Sequence, residues 1–152
     1  MQANTFYSIL RIKSALVQFR PLIPYLTYIF LLETPSMPVT IFHNPRCSKS
    51  RQTLALLENH GIKPTIIEYL KTPITKDKLI EILSLLEMAP RDLMRKKEEV
   101  YAEKGLDNPS LSDAELIDIM VKNPILIERP IVLANGKAAL GRPPDQVLII
   151  LE

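Results

Sequence analysis

Apolar and polar positions change period several times between residues 38 and 152, and each change marks an element. Val39-Thr40-Ile41-Phe42 is a β-branched and aromatic run halted by Asn44-Pro45, which predicts a strand followed by a turn. Just after Cys47, Thr53, Leu54, Leu56 and Leu57 recur at helical spacing, and Gly61 supplies a C-terminal stop. Pro64 to Tyr69 reads as a second strand, and a strand, helix, strand unit of this size requires parallel pairing through a crossover. Thr75 opens a helix carrying Leu79, Ile82, Leu83 and Leu86. Pro90 to Lys104 is a charged, partly helical block. Ser112 with Glu115 forms a capping box for a helix reaching Val121 or Lys122. Ile131 to Leu133 reads as a strand, Asn135-Gly136 as a hairpin turn, Lys137 to Leu140 as its antiparallel return, and Asp145 to Leu151 as a final short helix. The order predicts an α/β domain with a mixed sheet and a helical insertion.

Residues 1–36 follow a different pattern. They are apolar and aromatic but interrupted by Arg11, Lys13, Arg20, Pro21 and Pro24, short of the roughly 18 to 20 uninterrupted apolar residues that a spanning helix needs. Scattered basic residues and Glu33-Thr34-Pro35-Ser36 fit a cleaved signal peptide poorly. The favoured reading is an N-terminal extension, with translation starting at Met37 and residues 37–152 forming the domain; a membrane-surface helix is the alternative. No stable membrane association is expected.

Composition narrows the chemistry. A chain of 152 residues, 47% hydrophobic, can bury one substantial core, and a net charge of +2 gives no ground for nucleic-acid binding. One cysteine excludes an internal disulfide and a cysteine-rich zinc site, and suits a reducing, cytoplasmic compartment. His43 and His60 are the two histidines, so neither a metal site nor a bound cofactor is expected.

Cys47 is the candidate nucleophile. The first N–H groups of a helix lack intrahelical partners and lie at the positive end of its dipole, so a thiolate placed there is favoured over the thiol. Free cysteines also serve as small buried hydrophobes, but Arg46, Lys49 and Arg51 around this one point to an electropositive, partly exposed position. Ser50 stands where a Cys-x-x-Cys pair would have its second thiol. Its hydroxyl can donate to the thiolate or satisfy local backbone, but it cannot resolve a disulfide, so a redox cycle must borrow a thiol. His43 ends the first strand and either faces solvent or helps to hold the thiolate; Asn44 either orients the loop or makes an ordinary turn. His60 reads as a surface residue at a helix end. A cysteine phosphatase is disfavoured, because its loop carries an arginine where this chain has Thr53.

Four blocks in order, His43-Asn44-Pro45-Arg46-Cys47-Ser48-Lys49-Ser50-Arg51, Leu93-Met94-Arg95-Lys96, Asn123 through Val132 and Gly141-Arg142-Pro143-Pro144, carry a resemblance. They resemble the glutaredoxin-linked ArsC-type arsenate reductase family, in its shorter subgroup with Ser-Lys-Ser after the cysteine. The resemblance implies a thioredoxin-like, glutaredoxin-type fold with a cis Pro130 facing the cysteine. It further implies a Cys47 adduct with arsenate, His43 and Ser50 tuning the thiolate, and Arg95, Arg129 and Arg142 binding the oxyanion. Glutathione would be co-substrate and glutaredoxin partner. A tetrahedral oxyanion suits planar guanidinium donors better than ammonium ones. Two alternatives stay open: a glutathione-dependent thiol-disulfide oxidoreductase, and a non-catalytic redox regulator of the same fold that binds RNA polymerase, although Ser50 removes a disulfide switch.

Overall fold

The computed structural model describes residues 38–152, so the readings made for residues 1–36 and for a start at Met37 lie outside the described residues. Four short strands, β1 (Thr40–Phe42), β2 (Thr65–Ile67), β3 (Ile131–Ala134) and β4 (Lys137–Leu140), form a single sheet in the order β2-β1-β3-β4. β1 runs parallel to β2, placing Ile41 opposite Ile66, and antiparallel to β3, placing Ile41 opposite Val132. β3 and β4 are antiparallel, joined by Asn135 and Gly136, both at positive φ (52° and 69°), as a tight hairpin turn of this hand requires.

Strand alternation sends neighbouring residues to opposite faces of the sheet. Phe42 and Ile131 enter one core, with Leu79, Ile82, Leu116 and Met120; Ile41 and Val132 enter the other, with Leu57, Val147 and Ile150. The first core lies under α2 (Lys76–Leu86) and α5 (Asp113–Lys122), the second under α1 (Ser48–Asn59) and a closing 3₁₀ segment (Pro144–Ile150). Thr75 caps α2 by accepting from the Lys78 N–H, and Ser112 with Glu115 completes the capping box of α5. This is the mixed sheet anticipated from the element order, in the thioredoxin-like arrangement that the resemblance implies. Among the described residues no helix is long and apolar enough to cross a membrane.

Two expectations are corrected. The second strand is confined to Thr65–Ile67, because β2 pairs only with the three residues of β1. The final segment is 3₁₀ rather than α-helical; Pro143 and Pro144 withhold N–H donors at its start, and short pieces take the tighter form. The charged block resolves into α3 (Pro90–Leu93) and α4 (Glu99–Glu103), with Arg95 on neither. Instead Met94 bridges to Ile127, the Arg95 N–H donates to the Leu126 carbonyl at 2.8 Å, and the Glu128 N–H donates to the Leu93 carbonyl at 2.9 Å. Extended backbone thus ties the insertion to the segment before β3.

Gly141, at the end of β4, is where α1 approaches most closely. A Cβ there would stand 2.4 Å from Thr53 Oγ1 and 2.7 Å from Pro130 Cγ, and Thr53 is fully buried and donates to the Lys49 carbonyl. Gly141→Ala should therefore lower stability by about 1–3 kcal/mol through overpacking. An unchanged urea midpoint would contradict this account of the packing.

Candidate active site

The loop that carries the cysteine is built by its own side chains. Asn44 accepts the Arg46 N–H on Oδ1 at 2.9 Å, its carbonyl accepts the Cys47 N–H at 3.0 Å, and Arg51 Nη1 donates to the Pro45 carbonyl at 2.8 Å. Cys47 then occupies the N-cap of α1 in extended conformation, half-buried, its side chain capping nothing. Burial pushes the thiol pKa up, but donation from the Ser50 and Lys49 backbone N–H groups and the charge and hydrogen bond of Arg129 outweigh it, leaving it below its ordinary value. Arg142 Nη2 reaches Sγ from β4's end at 3.7 Å.

Ser50 is fully buried, and its hydroxyl is engaged beneath the loop rather than at the sulfur. It accepts the Asn44 N–H at 3.0 Å and lies 2.8 Å from His43 Nδ1. His43 is itself buried, so the solvent-facing alternative is corrected. Burial lowers its pKa, against the opposing pull of Glu68 and Ser50, so the neutral imidazole is favoured. With Oγ already accepting from Asn44, the arrangement that satisfies all three groups has the Ser50 O–H donating to an unprotonated Nδ1. His60 lies exposed, its Nδ1 2.8 Å from the Leu56 carbonyl.

Two guanidinium groups, of Arg129 and Arg142, act on this sulfur, and a third, of Arg95, lies within charge range of both. Arg129 precedes Pro130 across a cis peptide bond, and its Nε and Nη1 are buried without a hydrogen-bond partner among the described residues. Arg142, preceding a second cis proline, Pro143, donates through Nε to the Arg129 carbonyl at 2.8 Å, and the same nitrogen is ion-paired with Glu128 Oε1 at 2.8 Å. Arg95 is held by Glu98 and lies 3.8 Å from Glu128 Oε1. Burial and the Arg129 charge pull the Arg95 pKa down, although a guanidinium remains charged at neutral pH. Lys96 and Lys97 beside it are exposed, so Arg95 departs from the solvated face its neighbours form. Among the described residues no three His, Cys, Asp or Glu side chains gather as a metal-ligating group.

Residues 42–150 match the ArsC family profile, over nearly the whole described length. The chain belongs to the ArsC family. It is 49% identical over 114 residues to an arsenate reductase of Neisseria meningitidis serogroup B, covering 74% of this chain and 97% of that protein. It is 54% identical over 114 residues to the uncharacterized protein YfgD of Escherichia coli strain K12, covering 74% of this chain and 96% of that protein. Among solved structures, an arsenate reductase from Vibrio cholerae superposes with a TM-score of 0.74 at 52% identity, over 76% of this chain and 98% of its own.

In this ArsC chain the fold brings together Cys47, His43, Ser50, Arg129, Arg142 and Arg95, all singled out from the sequence. Two further residues went unassigned. Tyr69 is buried beside Arg129 and donates to the Ile127 carbonyl at 3.4 Å; burial raises its pKa, so it stays a neutral donor. Glu128 touches all three arginines or their backbone, and its one visible signal was an acidic residue inside an otherwise apolar run just before Arg129-Pro130.

Ser50→Ala separates the two ways in which this serine meets the site. The Ser50 N–H that lowers the thiol pKa survives, whereas the Asn44 N–H and His43 Nδ1 lose their partner. Stability should fall by about 1–3 kcal/mol, as buried polar groups left unpaired cost. The pH midpoint of Cys47 alkylation by iodoacetamide should stay below that of free cysteine. A midpoint returning to the free-cysteine value would assign the thiolate to the hydroxyl instead.

Proposed function

We propose that this ArsC-family chain is an arsenate reductase working in the cytoplasm, with Cys47 as its nucleophile and glutathione and glutaredoxin as its reductants. The observation that supports this most is a cluster of guanidinium groups beside a nucleophilic sulfur: Arg142 Nη2 stands 3.7 Å from Sγ, and Arg129 keeps two buried donors unpartnered among the described residues. Buried donors without partners are rare, and a bound anion would satisfy these two.

The Cys47 thiolate attacks arsenic; the sulfur–arsenic bond forms and a protonated oxygen leaves as water, with arsenic still at the (V) state. Arg129, Arg142 and Arg95 hold the remaining oxygens as charge builds on them. Reduction to the (III) state takes two electrons, which two thiols provide on becoming a disulfide. The chain has a single cysteine, so the thiols come from outside. A glutathione thiolate displaces a second oxygen as water. The glutaredoxin thiolate then attacks that glutathione sulfur, the sulfur–arsenic pair stays on arsenic, and a mixed disulfide departs. Water hydrolyses the remaining sulfur–arsenic bond, releasing arsenite and restoring the thiol.

A thiol-disulfide oxidoreductase would bind an extended chain beside the sulfur. Here the N–H of Arg129 is taken by Glu128 and its carbonyl by Arg142, which favours a compact anion over a peptide pairing at that backbone. A redox regulator relying on an internal disulfide is disfavoured by the single cysteine. The test is arsenate-dependent NADPH consumption coupled through glutathione, glutaredoxin and glutathione reductase. Turnover that follows arsenate concentration supports the reading; activity on a small disulfide with none on arsenate would replace it by the oxidoreductase.

A further inference from the structure

We infer that Glu128 is a positioning residue that makes the three arginines into one oxyanion receptor. The inference rests on the reductase reading of the site and deepens it. Glu128 lies immediately before Arg129, and the bridge between Met94 and Ile127 brings Arg95 alongside it. Its Oε1 accepts the Arg129 N–H at 3.0 Å, is ion-paired with Arg142 Nε at 2.8 Å, and lies 3.8 Å from Arg95 Nε. Arg142 Nε in turn donates to the Arg129 carbonyl at 2.8 Å, so carboxylate, backbone and guanidinium close a ring.

The geometry divides the labour on Arg142 between its two ends. Nε is spent on Glu128 and the Arg129 carbonyl, which fixes the plane of the guanidinium and leaves Nη2 aimed at Cys47 Sγ, 3.7 Å away. Without the carboxylate a half-exposed arginine keeps its rotamer freedom and must be ordered each time an anion binds. Three guanidinium groups gathered at one place also repel one another, and a carboxylate among them offsets that repulsion before the substrate arrives. Glu98 does the same for Arg95 from the other side.

The sign of the effect distinguishes positioning from bulk charge. Glu128→Gln makes the site more positive by one charge. If Glu128 acted only as a nearby negative charge, oxyanions would bind more tightly to the variant. As a positioning residue, its loss should weaken binding despite the added positive charge.

The experiment measures protection of Cys47 from iodoacetamide by arsenate, at fixed pH and salt, on the full chain. The arsenate concentration giving half protection should rise about 10-fold or more in Glu128→Gln, the range for losing an ordered charge-assisted contact. In an Arg142→Ala background the same change should have a several-fold smaller effect, because Glu128 acts mainly through Arg142. A global loss of folding would instead act equally in both backgrounds, which overturns the inference. Equal or tighter protection in Glu128→Gln also overturns it, while leaving the reductase reading intact. If arsenate fails to protect the unaltered chain, the reductase reading falls and this inference with it.

Discussion

Replacing Cys47 by serine is expected to abolish arsenate-dependent NADPH consumption, a loss of at least about 10³-fold, the scale seen when a nucleophile is removed. The reasoning rests on ionisation. The donors that surround Sγ, from Ser50, Lys49 and Arg129, offset burial and bring a thiol below its ordinary pKa. A serine hydroxyl starts so much higher that the same donors leave it protonated at neutral pH. The change should leave the fold alone, because the Cys47 side chain caps nothing and its backbone bonds, from its N–H to the Asn44 carbonyl and from the Arg51 N–H to its own carbonyl, do not involve sulfur. Comparable rates for the serine variant and the unaltered chain would remove Cys47 from the reaction and end the reductase proposal.

Arg129→Ala is expected to weaken oxyanion binding by about 2–4 kcal/mol, read as a roughly 30- to 1,000-fold rise in the arsenate concentration for half protection of Cys47. Nε and Nη1 are buried without a partner among the described residues, which leaves both donors for a bound anion. Two further signs follow. Removing Arg129 takes away one of the groups that lower the Cys47 pKa, so the pH midpoint of alkylation should rise while burial continues to push in the same direction. The fold should survive the change, since Arg129 Nε and Nη1 make no hydrogen bond to another element among the described residues. A variant that binds arsenate normally but melts earlier would show Arg129 to be a structural residue. Arg129→Lys should rescue only part of the binding, because an ammonium cannot offer the guanidinium's planar pair of donors.

The elements were legible because each is written in local chemistry. Thr75, Ser112 with Glu115, and Asn135-Gly136 act within a few residues of themselves, and the structure places caps and turn there. Boundaries were less secure where a partner decides them. β2 ends at Ile67 because β1 offers it three residues, although the strand-favouring Tyr69 lies just beyond Glu68. Arg95 resembled its neighbours Lys96 and Lys97 until the bridge to Ile127 drew its backbone into extended pairing.

The site divides in the same way. From the sequence alone came the cysteine at a helix start, its dependence on an outside thiol, and the arginines carried by the family's motifs. These follow from residue type, short spacing and motif order, which the unfolded chain already holds. The direction of each side chain came only with the tertiary structure. Ser50 turns its hydroxyl to His43 and Asn44, and Arg142 meets a sulfur 95 positions away. Glu128 gains its role because the segment before β3 and the insertion lie side by side. Hydrogen bonds reach about 3 Å, so which groups share a carboxylate or an anion depends on how distant segments pack, and no local pattern encodes that distance.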